Sequence, residues 1–282
     1  MLMEKKLQII NILRKNLDFK KIARNSAFDT LKLLGVISII FSDETIMLFW
    51  DKTELVCIKI AFFAILFILV CVLRGAWYCW RSKITIKGDN YNIQVEYGDI
   101  FAVSDCKKVI PFDECFTTKV GSKPEEINAD SICGQYLKRH PDLDINSICD
   151  DMGQKFIKSY YRYNNKPCYK SGTLLVYGDD LLMAFAKLNE DGLAVMSRDD
   201  YVDCLQYLWK EIDKYYAQKD VCIPILGSGV TRFGDMALNQ QELLDIIILS
   251  YKITSYKIKL PYKLRIICQK KDDFSINKIS CL

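Results

Sequence analysis

The chain has 282 residues, 50% of them hydrophobic, and a formal net charge of +4. That length holds one full-sized domain and an appendage, and so small a net charge does not argue for a nucleic-acid partner. Of the 12 cysteines no two form a C-x-x-C pair, and the single histidine, His140, has no cysteine pair beside it, so no metal or cofactor is expected. Cys57, Cys71, Cys106, Cys222 and Cys268 sit in apolar runs, where a reduced thiol acts as a small hydrophobe, which fits a reducing cytosolic main domain.

Residues 1–26 place Leu7, Ile10, Leu13 and Leu17 at helical spacing among Lys5, Lys6, Arg14, Lys15, Lys20, Lys21 and Arg24. This basic amphipathic segment either lies on anionic lipid or packs against the protein's own domain or a neighbouring copy. Residues 27–80 are expected to form a transmembrane hairpin with arms at about 31–50 and 55–73. The second arm, LVCIKIAFFAILFILVCVL, carries only Lys59 and reaches about 28 Å, close to the thickness of a bilayer core. Trp77, Tyr78, Trp80, Arg74 and Arg81 make an interfacial collar after it. The first arm is interrupted by Asp43 and Glu44; it either crosses or dips into one leaflet. Crossing keeps the basic N-terminus and the following domain both cytoplasmic, as the positive-inside tendency requires, and implies a multi-pass inner-membrane protein.

From residue 83 to 282 the texture becomes that of a cytosolic α/β domain. Residues 84–87 and 92–97 read as a hairpin, 107–111 as a buried strand, 125–139 and 145–161 as helices broken at Pro141, and 172–177 with 181–186 as a second hairpin. An amphipathic helix at 199–218 feeds a buried strand at 221–226; a helix at 240–253 and a strand at 264–269 follow. Strands alternating with helices predict three layers, a mixed sheet between helices.

The strand at 221–226 empties into Gly227-Ser228-Gly229, then Val230, Thr231, Arg232 and Phe233. A turn this rich in glycine lets backbone N–H groups converge on an anion, phosphate above all; the plainer alternative is a tight loop between buried elements. Asp99, after Gly98 at a strand end, is placed to accept from an exocyclic amine such as that of adenine, or else to cap a local N–H. Ser131-Ile132-Cys133-Gly134 is a second small-residue turn. No triad spacing accompanies Ser131 or Cys133, and neither a Rossmann fingerprint nor a P-loop lysine motif is present.

Taken together, GDIF at 98–101, SICGQ at 131–135, the DYVDCLQYLWKEI helix at 200–212 and IPILGSGVTRFG at 223–234 resemble a macro domain. More narrowly, with the hairpin ahead, they resemble the membrane-anchored macro-domain effectors of the Thoeris anti-phage system. The resemblance implies a ligand derived from ADP-ribose: Asp99 on the adenine amine and Ile100 offering backbone to the base. Gly227, Ser228, Gly229 and Val230, with Thr231, would wrap the diphosphate. Ser131, Cys133 and Gly134 would supply the opposing loop, and Arg232 and Phe233 the border of the distal ribose. It also implies a signal made from NAD by a partner TIR-domain enzyme, an ADP-ribose conjugated to histidine, and ligand-driven homo-oligomers that disrupt the bilayer. Macro-type hydrolases carry an asparagine-rich loop where this chain has Pro111-Phe112-Asp113-Glu114-Cys115. That departure argues for binding without catalysis, although Asp113 and Glu114 are placed to orient a water; a membrane-tethered ADP-ribosyl hydrolase is the alternative.

Overall fold

The computed structural model describes residues 19–40, 52–123, 126–153, 166–229, 231–234, 238–271 and 274–280. The chain divides into two compact units, Met1–Ser82 with Lys271–Lys278, and Lys83–Lys270 with Ile279–Leu282.

In the first unit, α1 (Phe19–Ile40) packs against α2 (Lys52–Trp80). Helix α1 buries Ile22, Ser26 and Thr30, spaced on one face, and Asp29 pairs with Arg74 of α2. It runs unbroken through residue 26, where the sequence suggested that the amphipathic segment gives way to the hairpin. Helix α2 starts earlier and ends later than 55–73, so Glu54, expected between the two arms, is helical. Its stretch Lys59–Trp80 is long and apolar enough to cross a membrane, and none of that stretch is buried. Ile60, Ile65, Ile68 and Val72 all stand exposed, which a core helix of a water-soluble fold would not show. Among the described residues α2 alone meets that test; residues 1–18 and 41–51, the latter holding the second half of the first arm, lie outside them. The Arg81 guanidinium stacks 4.8 Å over the Trp77 ring, and Asn277 Nδ2 donates to Tyr78 O at 3.0 Å.

The second unit is built on a mixed sheet. Its strands are β1 (Lys83–Gly88), β2 (Tyr91–Tyr97), β3 (Cys106–Asp113), β4 (Leu174–Tyr177), β5 (Asp180–Leu188), β6 (Ala194–Val195), β7 (Asp220–Pro224) and β8 (Leu264–Cys268). They lie in the order β1-β2-β8-β7-β3-β5-β4, with β6 paired to β5. The inner five, β2, β8, β7, β3 and β5, run parallel, and β1 and β4 close the sheet antiparallel. Parallel strands are covered on both faces and read as continuous apolar runs; Val221, Cys222 and Ile223 of β7 are fully buried.

The helices are α3 (Ile132–Arg139), α4 (Ile145–Met152), α5 (Arg198–Tyr215) and α6 (Gln240–Ile253). Side-chain alternation on β5 sorts them into layers. Leu182 and Ala184 pack with Cys133, Tyr136 and Leu137 of α3 and Cys149 of α4. Phe185 points the other way, its ring 6.1 Å from Tyr201 of α5, and Trp209 of α5 meets Tyr251 of α6 at 5.0 Å. The expected three layers are therefore present. Helix α3 begins at Ile132 rather than 125, because Ser131 accepts from Gly134 N and ends the preceding turn. Helix α4 stops at Gly153, whose left-handed backbone (φ 59°) caps it, short of the expected 161. Residues 154–165 lie outside those described.

Candidate functional site

The chain leaves β7 toward β8 on one side of the sheet and leaves β3 toward β5 on the other. The carboxyl ends of β7 and β3 thus flank the point where the winding reverses, which is where open α/β sheets form their crevices. Three loops rise from this edge: 98–105 after β2, the segment after β3 that ends at Ser131, and the glycine loop after β7.

The glycine loop is fixed at both ends. Gly227 has φ +81°, and a Cβ there would fall 2.6 Å from the Phe233 ring, so glycine is required twice over. Ser228 folds back, its N–H and Oγ both donating to Ile225 O at 3.3 and 2.8 Å. The buried Tyr201 hydroxyl donates to Leu226 O at 2.9 Å, and Phe233 sits edge-on to Tyr201 at 5.4 Å. At the far end Arg232 N donates to Ala194 O, and Met196 N donates to Arg232 O, each at 2.9 Å. Strand β6, which the sequence did not suggest, is therefore the strap that holds the loop. Gly229 and the Arg232 side chain are exposed, Thr231 is half-buried, and Val230 lies outside the described residues. Because the Ser228 N–H is engaged with Ile225, it is not among the free donors that the resemblance implied for a diphosphate.

Asp99 caps a short 3-10 turn, Ile100–Ala102, its Oδ1 accepting from Phe101 N at 3.0 Å. The local capping role is real, and the carboxylate remains exposed to solvent. Gly98 N donates to Cys268 O at 3.0 Å, which binds this loop to the end of β8. Ile100 is buried with Cys106, Cys222 and Ile267, and Ile132 packs on the same cluster, so the Asp99 loop and the start of α3 are joined.

Ser131 is occupied as the α3 cap: its Oγ accepts from Gly134 N at 3.0 Å and donates to Asn128 O at 2.6 Å. Gly134 is needed for that turn, since a Cβ would sit 2.2 Å from Asn128 O. Cys133 faces the core, and burial pushes its thiol well above the ordinary range, which removes it as a nucleophile.

Asp113 and Glu114, the two acids placed to orient a water, are both buried and engaged by backbone. Asp113 Oδ1 accepts from Cys115 N and Thr117 N at 2.9 and 3.1 Å. Burial raises its pKa above the usual carboxylate range, with those N–H groups opposing the rise. Glu114 Oε1 accepts from Leu188 N at 3.2 Å, and its backbone bridges Ala186 O and Tyr169 N.

The three loops begin at one edge of the sheet. A cleft of about 270 Å³ is lined by Asp99, Phe101, Ala102, Lys108, Tyr136, Arg139, His140 and Asp180, and of the expected site residues it contains only Asp99. The Arg139 guanidinium lies 3.8 Å over the Phe101 ring, His140 stacks on Tyr136 at 4.3 Å, and Tyr136 OH donates to Asp180 Oδ2 at 3.1 Å. Burial, then the Asp180 carboxylate, push the Tyr136 phenol upward, so it stays a donor. Sequence reasoning missed this cation and aromatic cluster; the GDIF motif held Phe101, but nothing local pairs it with Arg139.

The sequence profile of the Thoeris protein ThsA macro domain matches residues 93–269. The Thoeris protein ThsA of Bacillus amyloliquefaciens (strain Y2) is 29% identical over 270 residues, covering 92% of this chain and 90% of that one. Among solved structures, the Oceanobacillus iheyensis macrodomain with ADP is similar at 9% identity and a TM-score of 0.39, covering 68% of this chain and 90% of that one. The macrodomain of Thermus aquaticus DarG is similar at 13% identity and a TM-score of 0.37, covering 64% and 98%. With the profile spanning well over half of its length, the chain belongs to the ThsA macro-domain family of Thoeris proteins.

Proposed function

We propose that this protein is a receptor of the Thoeris system that binds an ADP-ribose-type nucleotide at the carboxyl edge of its sheet and leaves it chemically intact. The observation that carries the reading is the glycine loop, strapped at Phe233 and Arg232, at the end of the central strand and beside the winding reversal. Across the edge, Asp99 offers an exposed carboxylate for an amine-bearing base. Binding without hydrolysis is favoured because Ser131, Cys133, Asp113 and Glu114 are each taken up by caps, core or turns.

In this reading the ligand is a signal made from NAD by a TIR-domain partner, carrying histidine beyond the distal ribose near Arg232. The apolar helix α2 anchors the domain to the inner membrane as part of a multi-pass hairpin, with the macro domain facing the cytoplasm. Strand β1 follows α2 after Arg81 and Ser82 and pairs with β2, whose end carries Asp99. A change of order at Asp99 thus reaches the start of the domain through a single strand pair. The ligand favours self-association only if it binds the assembled form more tightly than the resting one. Clustered copies then perturb the bilayer and stop growth of the infected cell.

The test is calorimetric titration of the full chain in detergent micelles with ADP-ribose, its histidine conjugate and NAD, with mass spectrometry of the recovered ligand. Binding of the conjugate, recovered intact, is expected. Loss of the ligand makes the protein a hydrolase, and no heat with any of the three refutes the nucleotide reading.

A further inference from the structure

Among the described residues, the second unit leaves five large apolar or aromatic side chains exposed, and four of them, Leu249, Ile253, Tyr256 and Leu260, lie between residues 249 and 260. Single exposed apolar residues are ordinary on a protein surface; a cluster is not. Leu249 and Ile253 are one turn apart on the side of α6 that faces away from its buried stripe of Leu244, Ile247, Ile248 and Tyr251. Tyr256 and Leu260 follow where the chain leaves the helix, and Leu260 N donates to Asn90 O of the β1–β2 turn at 3.4 Å. The Lys257 ammonium lies 4.9 Å over the rings of both Tyr91 and Tyr251, which closes the helix end onto the same turn.

Charge says what covers this patch. Residues 249–263 hold four lysines, three tyrosines and no carboxylate. The acids on the outward side of α6 sit in its first half and are engaged there, Glu242 by Asn239 N and Asp245 by Ser280. Lys87 and Asp89 of the adjoining turn offset each other, and Lys263 faces Asp220 at 3.8 Å, which still leaves a positive excess on the segment. Apolar, tyrosine and lysine side chains presented together match a bilayer surface with anionic headgroups. A second copy fits less well, because patch on patch sets lysines against lysines, and the fifth exposed side chain, Tyr177, offers no apolar cluster elsewhere. Connectivity favours the same partner. Arg81 and Ser82 alone join α2 to β1, so a bilayer that holds α2 begins two residues from this strand. Strand β1 is the edge of the sheet and runs about 20 Å from that junction to the turn beside the patch.

We propose that the 249–263 surface, at the C-terminal end of α6, docks on the anionic leaflet beside the anchor, so that the domain lies against the bilayer instead of swinging on its two-residue tether. The inference rests on the membrane reading of α2 and goes beyond it.

The full chain is reconstituted in phosphatidylcholine vesicles with and without phosphatidylserine. Both carry a phospholipid with a diazirine near the headgroup end of its acyl chain, and adducts formed on illumination are mapped by mass spectrometry. Helix α2 is expected to be labelled in both vesicles. Residues 249–263 are expected to be labelled severalfold more strongly with phosphatidylserine, and less as salt is raised. Lys252→Gln with Lys259→Gln, and separately Leu249→Asn with Ile253→Asn, change only outward side chains. Each pair is expected to cut the adducts on 249–263 by roughly threefold or more while those on α2 hold. Adducts on α2 with none on 249–263, or adducts there that neither pair reduces, overturn the proposal. So does protection of the segment that follows protein density instead of lipid charge, which places a second copy there. A chain with no adducts on α2 overturns instead the membrane reading beneath it.

Discussion

Gly227→Ala isolates what the glycine loop asks of its backbone. Alanine at φ +81° takes on the cost of the left-handed region, about 1–2 kcal/mol. Its Cβ also lands 2.6 and 2.9 Å from two atoms of the Phe233 ring, a buried side chain that must move away from Tyr201. Losing that edge-on pair adds about 0.5–1.5 kcal/mol. The sum, about 2–3 kcal/mol, corresponds to a fall in melting temperature of about 5–10 °C for a domain of this size. The companion variant Gly229→Ala meets nothing within 4 Å, so its melting temperature should stay within about 1–2 °C of the wild type. Differential scanning fluorimetry of both full-length variants in the same detergent gives the comparison. If Gly227→Ala melts with the wild type, or if the two variants fall together, the strapped geometry of the loop is wrong.

Asp99→Ala removes an exposed cap, so stability should drop by about 0.5–1 kcal/mol, while affinity for ADP-ribose falls at least tenfold with loss of a charged acceptor. Calorimetry beside a melting curve separates the two, and an affinity within twofold of the wild type would refute the base assignment. Asp113 has its pKa raised in the folded state by burial, so its contribution is fully present below the unfolded carboxylate value of about 3.9 and is lost as pH rises through the folded value. Asp113→Asn keeps an oxygen for Cys115 N and Thr117 N and removes the buried charge. The variant should therefore be at least as stable as the wild type at pH 7, and that advantage should shrink as melting curves are taken at lower pH. A growing advantage toward acid would contradict the sign.

The sequence made the sheet legible where burial imposes a run or an alternation: β7 is apolar from Val221 on because both faces are covered, and α5 buries Tyr201, Leu205, Leu208, Trp209 and Ile212 at helical spacing. Helix ends were less legible, because they depend on which single side chain caps them. Ser131 starts α3 and Gly153 stops α4 against a background that looks helical beyond both. The loops of the site could be found because glycine and aspartate at strand ends carry local meaning. Their neighbours could not. Arg139 over Phe101 and Tyr136 on Asp180 are each separated by many residues in the chain and brought together only by strand order. Strand β6 escaped because two residues make no pattern; its identity lies in the partners at Arg232 and β5.

The order of strands also governs the order of events as the chain is made. Strand β8 is inserted between β2 and β7, so the parallel core has a missing rung until residues 264–268 leave the ribosome. At ~5–20 residues per second, the roughly 180 residues between α2 and β8 occupy about 10–40 s of synthesis. Through that interval Ile93 and Val95, and in its last quarter Val221 and Ile223 as well, all fully covered in the finished domain, lack the strand that separates them. Two open apolar edges on one nascent chain invite pairing with a neighbouring copy. The two edges are closed only when β8 is in place, so the parallel core is the last part of the sheet to be completed.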